Sequence, residues 1–317
     1  MTNQPDHGQF KEFLSRYQKS KIAIVTHNKA DADAISSCYA LSRAIPDSVI
    51  CTAEEMRQGA KRLAEKLGIK VQDLDSLDKK DFAGIVVLDT AAYTLVPEAK
   101  GWKILLIIDH HQLQGKDMEG EFELIDNSSP STAEIISNLI DVDKDAAYAL
   151  SIGIIADGAR FKSARKETFA ALGKLMEIAD APYGELLDYA EPEQTVEAKM
   201  AILSSMKKIE YVYAAGYVIA TSEAGCNESD AASIITEAAD VAFIAKWKDR
   251  EKETRISARA RKSVKVPLNE VMGEVGKMFD GAGGGHPKAA GAALKCHTPE
   301  ALKKCVEIFI SKAEGQE

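Results

Sequence analysis

The chain has 317 residues, of which 45% are hydrophobic and 28% charged, and its formal net charge is −9 at pH 7. This balance is typical of folded globular proteins, excludes a wholly disordered chain, and predicts about two domains. The negative charge argues against a general binder of duplex DNA, although it does not exclude a local basic groove. No apolar run reaches the roughly 18 residues that a membrane span needs, and the polar N-terminus lacks the apolar core of a signal peptide.

The cysteines indicate the cellular compartment. The sequence has five of them, scattered and without a CxxC pair. An odd set of this kind fits a reducing environment better than a disulfide framework, and it disfavours a zinc site built on thiolates. The sequence therefore predicts a cytoplasmic protein with no membrane partner.

Strands and helices alternate through the first half of the chain. Short apolar runs rich in β-branched residues predict strands over 22–26, 48–52, 84–88 and 103–108. Helical spacing of apolar residues predicts helices over 34–44, 54–67, 131–140 and 145–155. Apolar strands that alternate with helices predict a parallel sheet covered on both faces.

The second half has a different organisation. Between about 164 and 210 the apolar strand runs stop and helical patterns dominate. A second α/β pattern follows, with predicted strands over 216–221, 241–247 and 254–260 and predicted helices over 229–239, 267–279 and 299–312. The predicted fold is α/β, with an N-terminal Rossmann-like parallel-sheet domain over 1–185, a helical linker over 186–210 and a smaller mixed α/β domain over 211–317.

Metal-binding residue types are concentrated in four short segments. Three follow predicted strands and one follows the apolar run 149–156; they are His27-x3-Asp31-x-Asp33, Asp89, Asp109-His110-His111 and Asp157. Because the carboxyl ends of parallel strands lie at one edge of a sheet, we expect at least three of these segments to converge in space.

The residue types in these segments predict the kind of metal. Carboxylates and imidazoles without thiolates suit divalent ions such as Mn²⁺ or Mg²⁺. The acidic groups are too numerous for one ion, whereas a carboxylate that bridges two ions about 3.5–4 Å apart would use them economically. A single aspartate at a strand end is more often a helix cap or a turn residue, so the prediction depends on all four segments together.

Two motifs in this sequence resemble those of a known family. The segment from His27 to Asp33, together with Asp89 and the Asp109-His110-His111 triplet, resembles the DHH phosphoesterase superfamily. Gly283-Gly284-Gly285-His286 resembles the GGGH signature of its C-terminal DHHA1 domain. In this order the two signatures cover nearly the whole chain. The chain is most similar to the compact branch of the superfamily, which includes nano-RNA hydrolases, phosphatases of 3′-phosphoadenosine 5′-phosphate and dinucleotide phosphodiesterases. RecJ-type exonucleases are larger relatives of this branch. The resemblance implies a DHH catalytic domain over 1–185 and a DHHA1 substrate-binding domain over 211–317.

The resemblance also implies a role for each motif residue. Two divalent ions are expected, with Mn²⁺ preferred and Mg²⁺ or Co²⁺ as alternatives. The implied ligands are His27, Asp31 and Asp89 for one ion, and Asp33, Asp89, His110 and Asp157 for the other, with Asp89 as the bridge. His111 is expected beside the scissile phosphate as a hydrogen-bond donor or general acid, and Asp109 is expected to orient the histidines. Ala32 and Gly158 stand where the family pattern usually has glycine and threonine, but neither change removes a ligand.

A basic segment in the second half predicts substrate contacts. Residues 246–265 contain nine cations and three anions, a local net charge of +6. Within it, alternation places Arg255, Ser257 and Arg259 on one strand face, and a similar Ser-x-Arg strand in DHHA1 domains holds the phosphate or base of the substrate. Arginine suits phosphate because its planar guanidinium binds in a bidentate manner. The predicted substrate-binding residues are Arg259, Ser257, Arg255, Gly284, Gly285 and His286.

Structural alternatives exist for both parts of this proposed substrate surface. The lysine-rich part of the segment, Lys246 to Lys252, could instead be a solvated pair of edge strands. The glycine-rich segment could be a flexible turn that binds nothing.

The function that these features predict is a Mn²⁺-dependent two-metal phosphoesterase that hydrolyses phosphodiester bonds of short oligonucleotides or linear dinucleotides in a cleft between the domains. Only 6% of the residues are aromatic, and no additional nucleic-acid-binding domain is visible. Both observations favour a single-stranded substrate of roughly two to five nucleotides over processive degradation.

Several alternatives stay open at this point. The same centre could act as a phosphatase of 3′-phosphoadenosine 5′-phosphate, as a RecJ-like single-strand exonuclease or on polyphosphate. The GGGH signature argues against an inorganic pyrophosphatase, and the complete set of ligands argues against a non-enzymatic nucleotide-binding scaffold. A homodimer is compatible with the sequence, although no residue requires it.

Overall fold

The apolar runs of the first half form one parallel sheet. The computed structural model describes residues 7–52, 55–111, 116–158, 161, 163–191 and 194–315, and the chain divides into one unit over 1–193 and another over 194–317. The strands of the first unit are β1 (Ile22–Thr26), β2 (Ser48–Thr52), β3 (Val71–Asp73), β4 (Gly84–Leu88), β5 (Ile104–Asp109) and β6 (Phe122–Ile125). Their order is β3-β2-β1-β4-β5-β6, and every neighbouring pair is parallel. This arrangement confirms the predicted Rossmann-like sheet.

Both faces of the first sheet are covered, as the sequence predicts. The helices of this unit are α1 (His7–Tyr17), α2 (Ala32–Ala44), α3 (Gln58–Leu67), α4 (Thr132–Leu139), α5 (Lys144–Asp157), α6 (Lys166–Ala179) and α7 (Tyr183–Ala190). One core cluster joins strand residues such as Ile24 and Leu88 to the helices. A second cluster, around Val25, Val87 and Trp102, fills the other face. The strands β1, β4 and β5 are consequently buried along their whole length.

Some elements of this unit were not predicted. The strands β3 and β6 have three and four residues, and about half or more of these residues are not buried. Their apolar pattern is therefore too short to stand out from a loop. The helix predicted over 54–67 begins at Gln58, and its expected first residue lies outside the described residues.

A glycine determines how closely α5 packs in this unit. A Cβ atom at Gly153 would lie 2.2 Å from Ser36 Oγ in α2, 2.9 Å from Ala133 Cβ in α4 and 3.0 Å from Asp33 Oδ1. These distances are shorter than close packing allows. Gly153 therefore lets α5, whose last residue is Asp157, lie against the helix that carries Asp33.

The second unit contains a mixed sheet, which confirms the predicted α/β class. Its strands are β7 (Glu210–Ala214), β8 (Tyr217–Glu223), β9 (Val241–Lys248), β10 (Glu253–Ala260), β11 (Ala282–His286) and β12 (Ala289–Leu294). Their order is β11-β12-β10-β9-β8-β7, in which the β8–β9 pair is parallel and the other pairs are antiparallel. The helices are α8 (Val196–Lys207), α9 (Glu228–Ile235), α10 (Leu268–Met278) and α11 (Thr298–Glu314).

Helices pack on both faces of the second sheet. One core cluster contains Phe243 and Ile256 with residues of α10 and α11, and another contains Ala242 and Ile244 with residues of α8 and α9. The segment predicted as a helical linker includes most of α7 and the whole of α8. Within the described residues, no helix combines the length and the apolar character that crossing a bilayer requires.

The second sheet corrects two alternative interpretations of the sequence. Lys246 and Lys248 lie in β9, and β9 and β10 are interior strands, so the lysine-rich segment is not a pair of edge strands. The glycine-rich segment forms β11, which pairs with β12 over five residues, so it is not a flexible turn. Glycine is a poor strand former, and this composition concealed β11 from the sequence pattern.

Candidate functional site

The first ligand segment lies between β1 and α2. His27 follows the last residue of β1, and Asp31 is the N-cap residue of α2, where its carboxylate accepts a hydrogen bond of 3.3 Å from the Ala34 N–H. Asp33 lies in the first turn of the same helix. Asp31 is thus a helix cap, as single aspartates often are, and it also faces the other candidate ligands.

The remaining ligand segments follow β4, β5 and α5. Asp89 has a left-handed backbone with φ of 63°, and its N–H donates to the Ile108 carbonyl at 2.9 Å. Aspartate tolerates this conformation better than most residues. Asp109 ends β5 and is followed by His110 and His111. Asp157 ends the helix α5 and is therefore not at a strand end.

Asp89 lies between two of the histidines. Its Oδ2 is 3.3 Å from His27 Nε2, and its Oδ1 is 3.4 Å from His110 Nε2. His110 Nε2 also lies 3.1 Å from Asp157 Oδ2. The side chain of Asp89 is almost fully buried, so the three segments meet in an interior position.

The ligand atoms form two compact groups. Within each of the following trios the ligand atoms lie within 4.8 Å of one another: His27, Asp31 and Asp89, and Asp33, His110 and Asp157. The same criterion joins Asp89, His110 and His111. The fold therefore brings together every residue that the sequence predicts as a metal ligand, from four segments that are far apart in the chain.

Burial and mutual charge shift the pKa values of these groups. Burial acts to raise the pKa of Asp89, but His110 and His27 hold that pKa well below its usual range. Burial acts to lower the pKa of His110, but the carboxylates of Asp157 and Asp89 raise it to about 11. Burial, followed by the charges of Asp89 and Asp157, raises the pKa of Asp33 well above normal. A divalent cation would relieve this crowding of carboxylates.

The donor set fits a divalent metal. The candidate ligand atoms are carboxylate oxygens and imidazole nitrogens, which suit Mn²⁺ and Mg²⁺. The buried Nε2 of His110 has no hydrogen-bond partner of suitable geometry among the residues that the structure describes. Buried polar atoms are normally satisfied, so this nitrogen is consistent with a ligand position.

Thr132 positions two of the carboxylates, and the sequence analysis did not identify it. Its hydroxyl donates to Asp89 Oδ1 at 2.9 Å. Its N–H donates to Asp33 Oδ2 at 2.8 Å, and the N–H of Ala133 donates to Asp33 Oδ1 at 2.9 Å. The sequence does contain one signal for this position. The capping pattern Ser131-x-x-Glu134 marks a helix N-terminus, and the free N–H groups there attract an anion.

His111 is oriented by Asp109. His111 Nδ1 lies 2.8 Å from Asp109 Oδ1, and the His111 N–H donates to the same oxygen at 3.1 Å. Asp109 is buried, whereas 58% of the His111 side chain is exposed. The hydrogen bond that the His111 ring donates to the Asp109 carboxylate is the main cause of a raised His111 pKa. With Nδ1 engaged, Nε2 is the His111 nitrogen available to a ligand.

A cavity of about 450 Å³ opens onto these groups. Five of the predicted site residues line it: His27, Asp31, Asp89, His111 and Asp157. Four further lining residues were not predicted, namely Asn28, Lys29, Arg57 and Leu95. The cavity therefore contains candidate metal ligands, the exposed histidine and two cationic side chains.

The predicted substrate residues of the second unit lie in adjacent rows across its sheet. Ser257 of β10 pairs with Gly291 of β12, which pairs with Gly284 of β11. Two residues further along, and so on the same face, Arg259 pairs with Ala289, which pairs with His286. Residues directly opposite each other in antiparallel strands share a face. We call this surface the glycine floor, defined by Ser257, Gly291, Gly284, Arg259, Ala289 and His286.

The three consecutive glycines of β11 have different surroundings. A Cβ at Gly283 would lie 1.9 Å from the Met272 carbonyl oxygen of α10, and one at Gly285 would lie 2.8 Å from the Ala289 carbonyl oxygen. A Cβ at Gly284 would meet nothing within 4 Å. Packing therefore explains the first and third glycines, whereas the second faces open space on the glycine floor.

The arginines near this floor have identifiable partners. Arg259 donates to the Ser229 hydroxyl at 2.6 Å and to the Ala258 carbonyl at 3.0 Å. Arg255 lies on the same face one row further, and its Nε is 3.1 Å from Glu253 Oε1. Arg261 donates to the carbonyls of Thr236 and Glu237 beyond the end of α9. Arg261 therefore has a structural role at that helix terminus.

Comparison with known proteins places this architecture in a family. Residues 21–157 match the DHH family, N-terminal domain, and residues 214–315 match the DHHA1 domain. The uncharacterized protein MJ0988 of Methanocaldococcus jannaschii is 30% identical over 317 residues, which covers 95% of each chain.

Solved structures share the fold. An exopolyphosphatase-related protein from Bacteroides fragilis has a TM-score of 0.77 at 17% identity and covers 99% of both chains. CDC45 from Entamoeba histolytica has a TM-score of 0.55 at 9% identity and covers 96% of this chain and 99% of its own. With two domain matches in order and a relative that is similar along its whole length, the chain belongs to the DHH family of phosphoesterases, with a DHH N-terminal domain followed by a DHHA1 domain.

Proposed function

We propose that this chain is a Mn²⁺-dependent phosphoesterase that hydrolyses phosphodiester bonds in short oligonucleotides or linear dinucleotides. The observation that supports it most directly is the pair of ligand trios around Asp89, four of whose six residues line a cavity of about 450 Å³. Membership in a phosphoesterase family agrees with this chemistry. The substrate class and the choice of Mn²⁺ are our proposals.

In this proposal the two trios hold two ions. His27 and Asp31 would bind one ion, and Asp33, His110 and Asp157 would bind the other. One carboxylate oxygen of Asp89 lies 3.3 Å from a nitrogen of His27 in the first trio, and the other lies 3.4 Å from a nitrogen of His110 in the second trio. Asp89 would therefore be shared between the two ions. When bound, such a pair lowers the pKa of a coordinated water toward about 7 and offsets charge on the phosphoryl oxygens. Thr132 would keep Asp89 and Asp33 in place.

His111 is the proposed proton donor. The hydrogen bond to the Asp109 carboxylate raises the pKa of His111 above its ordinary value, which favours the imidazolium form. The Asp109 carboxylate engages Nδ1 and leaves Nε2 to donate. As the phosphorus–oxygen bond breaks, the Nε2 proton would pass to the leaving oxygen, and His111 would regain a proton from solvent.

The glycine floor is the proposed nucleotide-binding surface of the second unit. Its central row has no side chain larger than serine, so a flat base or ribose could approach the backbone closely. Arg259 and His286 border this row and would contact phosphate oxygens. Arg255 and Ser257 on the same face complete the proposed side-chain contacts, and Gly285, which packs against Ala289 and Ala290, would contribute only main-chain atoms.

Hydrolysis of an equimolar panel in Mn²⁺ tests the proposal. The panel contains a linear dinucleotide, 3′-phosphoadenosine 5′-phosphate, a 24-nucleotide single strand and pyrophosphate, and the Asp89→Asn variant is the control for a contaminating hydrolase. We expect the dinucleotide to be cleaved fastest. Preference for the bisphosphate would support the phosphatase alternative, and preference for the long strand would support a RecJ-like exonuclease. The absence of Mn²⁺-dependent turnover of all four compounds would refute the proposed function. The cysteine pattern further predicts a cytoplasmic location, and a homodimer is compatible with the sequence.

A further inference from the structure

The candidate metal cavity contains two cations that the proposed hydrolytic chemistry does not use. Lys29 and Arg57 line the same cavity as His27, Asp31, Asp89 and His111. They come from different segments, since Lys29 precedes α2 and Arg57 precedes α3. Their convergence is therefore a product of the fold.

Main-chain contacts fix the two cations relative to the candidate metal ligands. The Arg57 N–H donates to the Ala30 carbonyl at 2.9 Å, which ties the start of α3 to the loop between Lys29 and Asp31. The Asn28 N–H donates to the Leu95 carbonyl at 2.9 Å on the other side of this loop. Lys29 itself has a left-handed backbone with φ of 58°, which is uncommon for a residue other than glycine and is often associated with functional loops.

Both side chains are accessible to a ligand. Arg57 Nη1 lies 3.5 Å from Asp31 Oδ2, but 63% of the arginine side chain is exposed, so the guanidinium keeps donors free for another anion. No carboxylate of the described ranges lies within ion-pair distance of Lys29 Nζ, which is exposed at the cavity. A cation without an acidic partner at a candidate catalytic cavity is suited to an anionic substrate group.

The charge balance of the cavity indicates what kind of anion these two cations would bind. The carboxylates of Asp31, Asp89 and Asp157 line it together with the two cations, and two bound divalent ions would be shared between these carboxylates and the scissile phosphate. A second phosphate group would then need its own counter-charges. Lysine and arginine are the usual side chains for this purpose, and arginine adds bidentate geometry.

We propose that Lys29 and Arg57 form a subsite for a second, non-scissile phosphate of the substrate; this proposal rests on the proposed phosphoesterase function. The subsite makes a terminally phosphorylated dinucleotide a better substrate than its unphosphorylated form. The ligand chemistry is a phosphate monoester on ribose, which is available at the 5′ end or at the 3′ end of a dinucleotide.

Equilibrium binding tests the subsite independently of turnover. The probes are ApA analogues in which a methylphosphonate replaces the linking phosphate, prepared without a terminal phosphate, with a 5′-phosphate or with a 3′-phosphate. Calorimetry on the full chain in Mn²⁺ should show that one terminal phosphate tightens binding about tenfold or more. Lys29→Gln and Arg57→Gln should each remove most of that gain and leave the affinity for the unphosphorylated probe unchanged.

A matched control is available in the helix that follows Arg57. Lys61, one turn after Arg57, pairs with Glu55 and does not line this cavity, so Lys61→Gln makes the same charge change elsewhere and should keep the full gain. Thermal unfolding of all variants checks that they fold. The subsite is refuted if neither terminal phosphate tightens binding, or if Lys29→Gln and Arg57→Gln keep the gain. Failure to hydrolyse pApA and ApA in a parallel assay would instead count against the proposed function.

Discussion

The hydroxyl of Thr132 donates a hydrogen bond of 2.9 Å to Oδ1 of Asp89, the carboxylate around which the candidate ligands gather. The same residue donates its N–H to Asp33. One residue at the start of α4 thus positions carboxylates from both ligand trios.

Replacement of Thr132 by valine keeps the side-chain shape and removes the hydroxyl. We expect the affinity for Mn²⁺ to fall about 10–100-fold, because groups that hold metal ligands in place contribute at this level. Metal titration by calorimetry measures the loss. Thr132→Ser restores the hydroxyl and should bind Mn²⁺ nearly as the wild type does. A valine variant with wild-type affinity would show that the hydrogen bond does not position Asp89.

Asp89→Asn should abolish most metal binding and turnover. Asparagine tolerates the left-handed backbone at φ of 63° about as well as aspartate does, so the substitution removes charge without adding backbone strain. We expect hydrolysis to fall at least about a hundredfold. Bound Mn²⁺ measured by mass spectrometry should fall in parallel. Substantial Mn²⁺-dependent activity in a folded Asp89→Asn protein would be incompatible with the bridging role.

Gly153→Ala should destabilise the first unit. The new Cβ would stand 2.2 Å from Ser36 Oγ and 3.0 Å from Asp33 Oδ1, and overpacking of this kind typically costs about 1–3 kcal/mol of unfolding free energy. The matched control is Gly173→Ala in α6, where nothing lies within 4 Å of the new atom. That variant should gain about 0.5–1 kcal/mol, because alanine is the better helix former. Urea denaturation compares the two. An unchanged midpoint for Gly153→Ala would contradict the close packing of α2, α4 and α5.

Alanine substitutions at two neighbouring glycines of β11 distinguish a role in substrate binding from a role in packing. Gly284→Ala adds a methyl group to the open face of the glycine floor, so we expect normal stability and a raised KM. Gly283→Ala places its Cβ 1.9 Å from the Met272 carbonyl and should lower the unfolding free energy by about 1–3 kcal/mol. Thermal unfolding and steady-state kinetics distinguish these effects. If Gly284→Ala leaves KM unchanged for every substrate, the glycine floor does not contact the nucleotide.

Metal affinity should rise with pH across the neutral range. The pKa of His110 is raised to about 11 by the carboxylates of Asp157 and Asp89, against the effect of burial, so the metal-free protein holds this proton at pH 7. A bound ion must displace it, and affinity therefore increases about tenfold per pH unit for each proton released. Calorimetry between about pH 6 and 8 in buffers of different ionisation enthalpy counts the protons. Binding without proton release would contradict a ligand role for His110.

The same shift has a consequence for the stability of the metal-free protein. Because the folded-state pKa of His110 lies above its ordinary value of 6.5, the charged imidazolium stabilises the folded chain. That contribution is fully present below about pH 6.5 and is lost as the pH rises through about 11. His110→Ala should therefore remove a stabilising contribution near neutral pH in metal-free protein, which denaturation in a chelator measures.

The sequence by itself determined the class of fold and which segments carry the candidate metal ligands. Short β-branched runs such as 22–26 and 84–88 are long enough, and apolar enough, to require burial on both faces of a parallel sheet. Once the sheet is parallel, residues after its strands must meet at one edge, so His27, Asp89 and His110 were predictable neighbours. These conclusions depend on periodicity and residue type, which are local properties of the chain.

The tertiary structure decided the contacts whose partners are distant in sequence and carry no local signal. Thr132 reaches Asp89, and Arg57 reaches the loop that carries Lys29 and Asp31, only because helices from separate segments pack side by side. The glycine floor depends on the register that sets Ser257 opposite Gly291 and Gly291 opposite Gly284. Helix packing and strand register are set by the shape of the whole core, where a single glycine such as Gly153 fixes the approach of three helices, and no window of sequence contains that information.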